Sequence, residues 1–373
     1  MTNLKYKEIQ VVAFAAPYPP NYGGVIDVYF RLKALKDLGV KVHLHTFIYD
    51  EHQPSSELER ICSSVQYYKR SHSPKYLKGW PYIISSRYDK SLIEQVVQKG
   101  CPVLLEGLHT CFLMDALRER GIPFSIRMHN VEWKYYQYLA ELEASFIKKR
   151  YFLEEAKRLK IFENKVDGAR LLAISERDMD YFKKRYPTSQ VIFIPPFHSF
   201  DQPDIKNGVG TFTLFHGNLS INENEQAAIW LIEKVFLGLK EKLVIAGKNP
   251  GKRLMHAANA YDNIKLLSNP SNEQMKRLMS QAQVHVLPIR QPTGMKIKWV
   301  NALYSAKFIL TNQDIYDKQR ADMGVYIAQS APEFKQQITQ LHAKIFTEEN
   351  LQKRKEFVGT TFDNLLNAQK LFE

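Results

Sequence analysis

The segment Pro288-Ile289-Arg290-Gln291-Pro292-Thr293-Gly294-Met295-Lys296-Ile297-Lys298-Trp299-Val300-Asn301 follows a strand-like apolar run and opens a helix-period one. A glycine at the mouth of a helix leaves N–H donors open to an anion, and Lys298, about one turn further on, reaches a pyrophosphate. Asn301 falls on the same helical face, placed for a ribose hydroxyl. A solvated charged face is the plainer account of the same residues.

Other segments carry related chemistry. In Pro17-Tyr18-Pro19-Pro20-Asn21-Tyr22-Gly23-Gly24, ahead of the helical run Val28–Leu38, Gly24 lets backbone N–H groups approach a phosphate at a helix N-terminus. The full G-x-G-x-x-G pattern is absent, so a tight strand-to-helix turn explains it as well. Gly217, in His216-Gly217-Asn218-Leu219, admits a diphosphate to the backbone or is a structural glycine. The stretches Gly247-Lys248-Asn249-Pro250 and Ser268-Asn269-Pro270 frame a nucleobase, or are ordinary Asn-Pro turns. His129 ends a strand and is positioned to donate a hydrogen bond into a cleft, while Glu132, one turn later, can orient a hydroxyl. Asn130 as helix cap and Glu132 as a first-turn acid is the structural alternative.

No Ser/His/Asp arrangement, catalytic carboxylate pair or metal-ligand spacing stands out, so no metal and no cofactor is expected. Cys62, Cys101 and Cys111 are odd in number and lack C-x-x-C spacing, which suggests neither a disulfide framework nor a thiolate zinc site.

These residues need a frame that gathers strand ends. Apolar runs at Ile9–Ala16, Lys41–Tyr49, Val103–Glu106, Phe124–His129 and Leu171–Ser175 alternate with helical stretches, the pattern of βαβ units. Ligands of such sheets lie beyond the carboxyl ends of the strands. Pro195-Pro196 and the turn formers of 199–210 mark a boundary. A second array follows, with strands at Thr211–His216, Leu243–Ala246, Ile264–Leu267, Val284–Pro288, Phe308–Thr311 and Val325–Ala328. The expected fold class is α/β, with two Rossmann-like domains over 1–198 and 199–347 and a helix over 348–373 packing back on the first.

The net charge of +13 implies attraction to polyanions. No zinc-finger spacing or RNA-recognition signature is present, which argues against nucleic acid. Lys148, Lys149, Arg150, Lys157, Arg158, Lys160 and Lys165 interleave with Phe146, Tyr151, Phe152 and Leu153, a pattern for an anionic membrane surface or for a solvated helix face. The run Val11–Ala16 is too short to span a bilayer. A cytoplasmic protein is expected, with peripheral contact at the inner face of the membrane as an option.

Taken together, Pro19–Gly24, Leu35–Val42, His129–Glu132, Phe215–Asn218, Leu243–Gly247 and Gly294–Lys298 resemble the bacterial glycosyltransferases of the GT-B fold, in the group 1, glycogen-synthase-like retaining class. The resemblance implies two Rossmann-like domains facing across a cleft, a nucleotide-sugar donor on the second domain and a glycan or lipid-linked acceptor on the first. By position it implies that Gly24 donates its N–H to the diphosphate, that His129 touches the donor sugar and that Lys298 neutralises the leaving phosphates. Gly294 and Met295 would add backbone N–H groups. Members of the class commonly have two glutamates with seven residues between them; Thr293 and Asn301 stand at those positions here. The arginine common shortly after the Gly217-type glycine is replaced by Leu219, with Arg290 as a substitute. A sugar-nucleotide epimerase and a non-catalytic nucleotide-sugar binder are the alternatives.

Overall fold

Short aliphatic runs become central strands because helices cover both faces of a parallel sheet, so neither face needs polar residues. In the computed structural model, which describes residues 5–50, 52–71, 79–288, 293–294, 297–312 and 318–372, Val11, Val12, Leu104, Leu105, Ile126 and Leu171 are completely buried in one such sheet. Leu214, Phe215, Ile245, Val286 and Leu310 are buried in a second.

The first sheet contains β1 (Glu8–Ala13), β2 (Lys41–Ile48), β3 (Ser64–Lys69), β4 (Val103–Glu106), β5 (Phe124–Met128), β6 (Arg170–Ala173) and β7 (Val191–Phe193). Its order is β3-β2-β1-β4-β5-β6-β7, parallel throughout. The second contains β8 (Thr213–Asn218), β9 (Leu243–Lys248), β10 (Ile264–Ser268), β11 (Val284–Leu287), β12 (Phe308–Thr311) and β13 (Val325–Ile327), in the order β10-β9-β8-β11-β12-β13. Each order reverses once, between β1 and β4 and between β8 and β11, and ligands of doubly wound sheets bind at the carboxyl ends beside that reversal.

Two compact units follow. One comprises Met1–Ser199, Thr293–Met295 and Phe362–Glu373; the other comprises Phe200–Pro292 and Lys296–Thr361. The helix expected over 348–373 is therefore corrected. It is divided into Glu348–Thr361, in the second unit, and Asn364–Gln369 with a short 3₁₀ turn, in the first. Asp363 caps the second piece through its side chain. No helix among the described residues is long and apolar enough to cross a membrane.

Arg354 explains why Glu348–Thr361 stays with the second unit. It is fully buried, and its Nε donates to Met323 O at 2.8 Å while Nη1 donates to Leu303 O at 3.1 Å and Nη2 to Lys307 O at 3.2 Å. These carbonyls include the C-terminal end of the helix Ile297–Ser305, where a cation is favourable. Burial lowers its pKa to about 9, with no carboxylate paired to it among the described residues. Substituting Arg354 with Ala strips several buried carbonyls of their donor. We expect a loss of about 3 kcal/mol, read as a lower urea midpoint, with Lys recovering less than half because it lacks the planar fork.

Candidate active site

At the carboxyl edge of the first sheet, the helix Gly23–Asp37 and strands β4 and β5 meet in a buried charge network. Asp27 accepts from Arg31 Nη1 at 2.8 Å, Arg127 Nη2 at 3.0 Å and the Phe197 N–H at 2.8 Å. Arg31 also donates to Glu106, and Arg127 to Ile194 O and Pro195 O. Burial alone would raise the Asp27 carboxyl, but Arg127, Arg31 and His129 outweigh it and hold the group well below the usual carboxylate range. His129 Nε2 lies 2.9 Å from Glu106 Oε2, so its N–H donates to that carboxylate. The expected donation into a cleft therefore differs from the geometry found, in which Nε2 points back into the network.

Asp27, Glu106 and His129 each offer a ligand atom within 4.8 Å of the others, a grouping that could hold a cation. Their carboxylate oxygens are already bonded to two guanidiniums, and two negative charges face two positive ones. A metal would have to displace both arginines, so the donor set fits an ion-pair network rather than a metal centre.

Phe14, just after β1, links this network to the next strand ends. Its ring lies 5.5 Å from His129, edge to face, and 5.1 Å from His109. A Cβ on Gly24 would come within 2.8 Å of Phe14 Cζ, so the glycine makes room for that ring at the first turn of its helix. The N-cap residue of that helix, Tyr22, forms no side-chain cap. The Phe14 carbonyl accepts from Arg87 Nε at 2.9 Å, and Arg87, buried and without an ion-pair partner among the described residues, has its pKa lowered to about 10 by burial. The buried Nδ1 of His109 has no hydrogen-bond partner among the described residues, and burial holds its pKa well below the usual histidine value.

Beyond His129 the chain turns into the helix Glu132–Leu142, and Glu132 is buried. Burial pushes its carboxyl up to about 8, with Glu163 and Asp178 adding to the rise. Gly294 belongs to the same unit, has φ +73 and donates its N–H to Asp178 Oδ2 at 2.7 Å. A Cβ there would fall 2.5 Å from Asn130 Oδ1 and 2.8 Å from His129 O. Thr293 is buried and donates to Asn130 Oδ1 at 3.4 Å. The N–H expected to face an anion is thus directed to Asp178. Arg290 and Met295 lie outside the described residues.

In the second unit the phosphate-binding candidates converge. Gly217 is the fifth residue of β8, and a Cβ on it would lie 2.6 Å from Lys298 Nζ and 2.8 Å from Lys298 Cε. The bare glycine is the seat of the ammonium. Lys298 donates to Asn224 Oδ1 at 2.5 Å, Asn224 Nδ2 donates to Asn218 O at 2.7 Å, and the ammonium stands 5.1 Å from the Phe215 ring centroid. Burial, with His285 and Lys298 adding, lowers the pKa of neighbouring His216 to about 3, so it is neutral. Asn301 is half-buried further along the same helix.

Gly247 pairs with Gly217 across β9 and β8, and a Cβ on it would fall 1.8 Å from Gly217 O, a distance only glycine permits. Lys248 and Ser268 are the last, exposed residues of β9 and β10. The turns after them are joined because Asn269 Oδ1 accepts the Asn249 N–H at 2.9 Å and the Asn269 N–H reaches Gly247 O at 2.8 Å.

The family described as "Glycosyl transferases group 1" matches residues 211–344. A Klebsiella pneumoniae protein, described as an uncharacterized 44.6 kDa protein in cps region, is 30% identical over 324 residues, 82% of each chain. HepE of Anabaena, solved in complex with UDP and glucose, is 12% identical with a TM-score of 0.61 over 98% of both chains. TarM, also solved from S. aureus, gives a TM-score of 0.65 at 10% identity, covering 100% of this chain and 99% of that one. A glycosyltransferase of Rickettsia africae gives 0.64 at 12%, covering 98% and 97%. The fold is GT-B. The chain belongs to the group 1 glycosyl transferases.

The sequence reading did not find Asp27, Arg31, Glu106, Arg127, Phe14, Arg87 or Asn224. Only Glu106 and Arg127, charges within otherwise apolar strands, carried a signal. Replacing Asp27 with Asn leaves two buried guanidiniums short of a counter-charge, and the expected cost at neutral pH is roughly 3–5 kcal/mol in chemical denaturation. Because the folded pKa of Asp27 is depressed, its contribution is full above its ordinary value of 3.8 and is lost as pH falls below it, so wild type and variant converge in acid. Glu132 behaves in the opposite sense. Its folded pKa is raised, so wild-type stability falls as pH rises from 4.5 to about 8, and a Glu132→Gln protein is the more stable at pH 8 but not at pH 4.

Proposed function

We propose that this chain is a retaining, metal-independent glycosyltransferase that moves a hexosyl group from a nucleotide diphosphate donor to a hydroxyl of a glycan or lipid-linked acceptor, in the assembly of surface polysaccharide. The observation that carries the reading is the lysine seated on Gly217 and held by Asn224 at the carboxyl edge beside the strand-order reversal. A fixed ammonium there is suited to a diphosphate whose charge grows as it leaves. The solved complexes of HepE with UDP and glucose, and of S. aureus TarM with UDP, support a uridine nucleotide as the first donor to test. The cps region of the Klebsiella relative supports polysaccharide assembly.

In this mechanism the acceptor oxygen attacks the anomeric carbon on the face from which the nucleotide departs. The bond from anomeric carbon to phosphate oxygen breaks, the new glycosidic bond forms, and the hydroxyl proton passes to the departing phosphate. Lys298 stabilises that phosphate, Gly247, Lys248 and Ser268 border the base, and Asn301 bonds the ribose. Glu106 fixes the ring of His129, and Asp178 and Asn130 fix the loop at Gly294.

The test is transfer or donor hydrolysis with a panel of UDP- and GDP-sugars, together with thermal shift by the free nucleotides. A folded Lys298→Ala protein is expected to lose about 100-fold in kcat/KM, or about 2.7 kcal/mol of transition-state stabilisation. A Cβ on Gly217 meets the far end of the Lys298 side chain and no backbone, so Gly217→Ala should keep its melting temperature and lose turnover. Full activity in both variants, or no response to any nucleotide, would refute the assignment.

A further inference from the structure

The helix Phe146–Glu163 turns one line of residues inward, where Glu155, Ala156, Leu159, Phe162 and Glu163 are buried. Its outward line should be polar. Instead, among the described residues, the three most exposed large apolar side chains all lie on this helix: Ile147 at 81%, Phe146 at 77% and Ile161 at 72%. Leu153 is exposed too, and over 146–151 every residue is exposed, so the first turn and a half stands clear of its unit.

At helical spacing Phe146, Arg150, Leu153, Lys157 and Ile161 follow one another along the outward face, apolar and cationic in alternation. Lys148, Lys149 and Arg150 form no ion pair among the described residues. Glu154 is the acid on this face, 3.9 Å from Lys157 and 3.6 Å from Arg158. Lys160 sits 4.7 Å from the Trp133 ring, on the helix that begins at Glu132, so the exposed face lies next to the segment that carries His129.

We infer that the outward face of Phe146–Glu163 docks on an anionic lipid bilayer, with Phe146, Ile147, Leu153 and Ile161 entering the headgroup boundary and the interleaved cations meeting lipid phosphates. A protein partner fits this face poorly, because lysine is depleted where proteins bury surface against one another. A second copy fits no better, since a two-fold contact would oppose the same cations. The boundary of a bilayer accepts apolar groups and positive charge on one helix face. The inference goes beyond the proposed transfer reaction and does not depend on it.

The experiment is co-sedimentation of the full chain with phosphatidylcholine vesicles, with and without phosphatidylglycerol, at low and high salt and without donor or acceptor. The wild type should bind the phosphatidylglycerol vesicles and release them as salt rises. A triple variant, Phe146→Ser, Ile147→Ser and Ile161→Ser, and a charge variant, Lys149→Glu and Arg150→Glu, should each keep the native circular dichroism and lose at least about tenfold in partition coefficient. A Phe146→Trp probe should be quenched by brominated lipid. Equal partition of wild type and triple variant, or a dimer in light scattering that the triple variant abolishes, would overturn the inference. Because neither readout uses turnover, failure here is separable from failure of the glycosyl-transfer assignment.

Discussion

The first unit depends on one arrangement: two carboxylates and two guanidiniums removed from water together. Asp27, Arg31, Glu106 and Arg127 are all buried. Any one of these charges alone in that setting would be prohibitive, and losing one partner leaves the rest uncompensated. As a set they join the helix after β1, the ends of β4 and β5 and the segment 194–197, which come from distant parts of the chain. The arrangement fixes more than stability. His129 bonds Glu106, and Glu106 bonds Arg31, so the ring orientation at the end of β5 follows from ion pairs inside the unit.

The second unit solves the equivalent problem without opposed charges. At its carboxyl edge the space comes from glycines, Gly217 and Gly247 side by side on neighbouring strands, and the polar fixation comes from Asn224 and Asn269. Lys298, at this edge, donates to the neutral amide oxygen of Asn224. The arginines of the first unit, by contrast, are matched to Asp27 and Glu106.

Much of this frame was legible in the residues. Apolar runs mark eleven of the strands, and Gly217 and Gly247 fall at strand ends as their sequence positions imply. What escaped has physical causes. β3, with the sequence Ser-Val-Gln-Tyr-Tyr-Lys, is a half-exposed edge strand and lacks an apolar run, and β7 is only three residues long. Asp27 and Arg31 are four apart on a helix, a spacing as common on solvated faces as in buried ones, and only the tertiary structure buries them. That a lysine rests on a particular glycine 81 positions away, or that Gly294 directs its N–H to Asp178, is a fact of three-dimensional approach that no local pattern encodes. The helix expected over 348–373 misled because its apolar spacing is continuous, while the capping residue Asp363 divides it.

Gly217 and Gly247 have one further consequence. Because a methyl group on Gly247 would strike the carbonyl of Gly217, and one on Gly217 would strike Lys298, the three positions form a chain of steric permissions rather than independent choices. Substitution along that chain is contingent: the lysine can be exchanged while both glycines remain, Gly217 cannot take a side chain while the lysine keeps its place, and Gly247 cannot take one against the Gly217 carbonyl whatever stands at 298. Descendants of this protein can therefore lose the cation in one step, while recovering it after a glycine has changed requires the backbone to be cleared first.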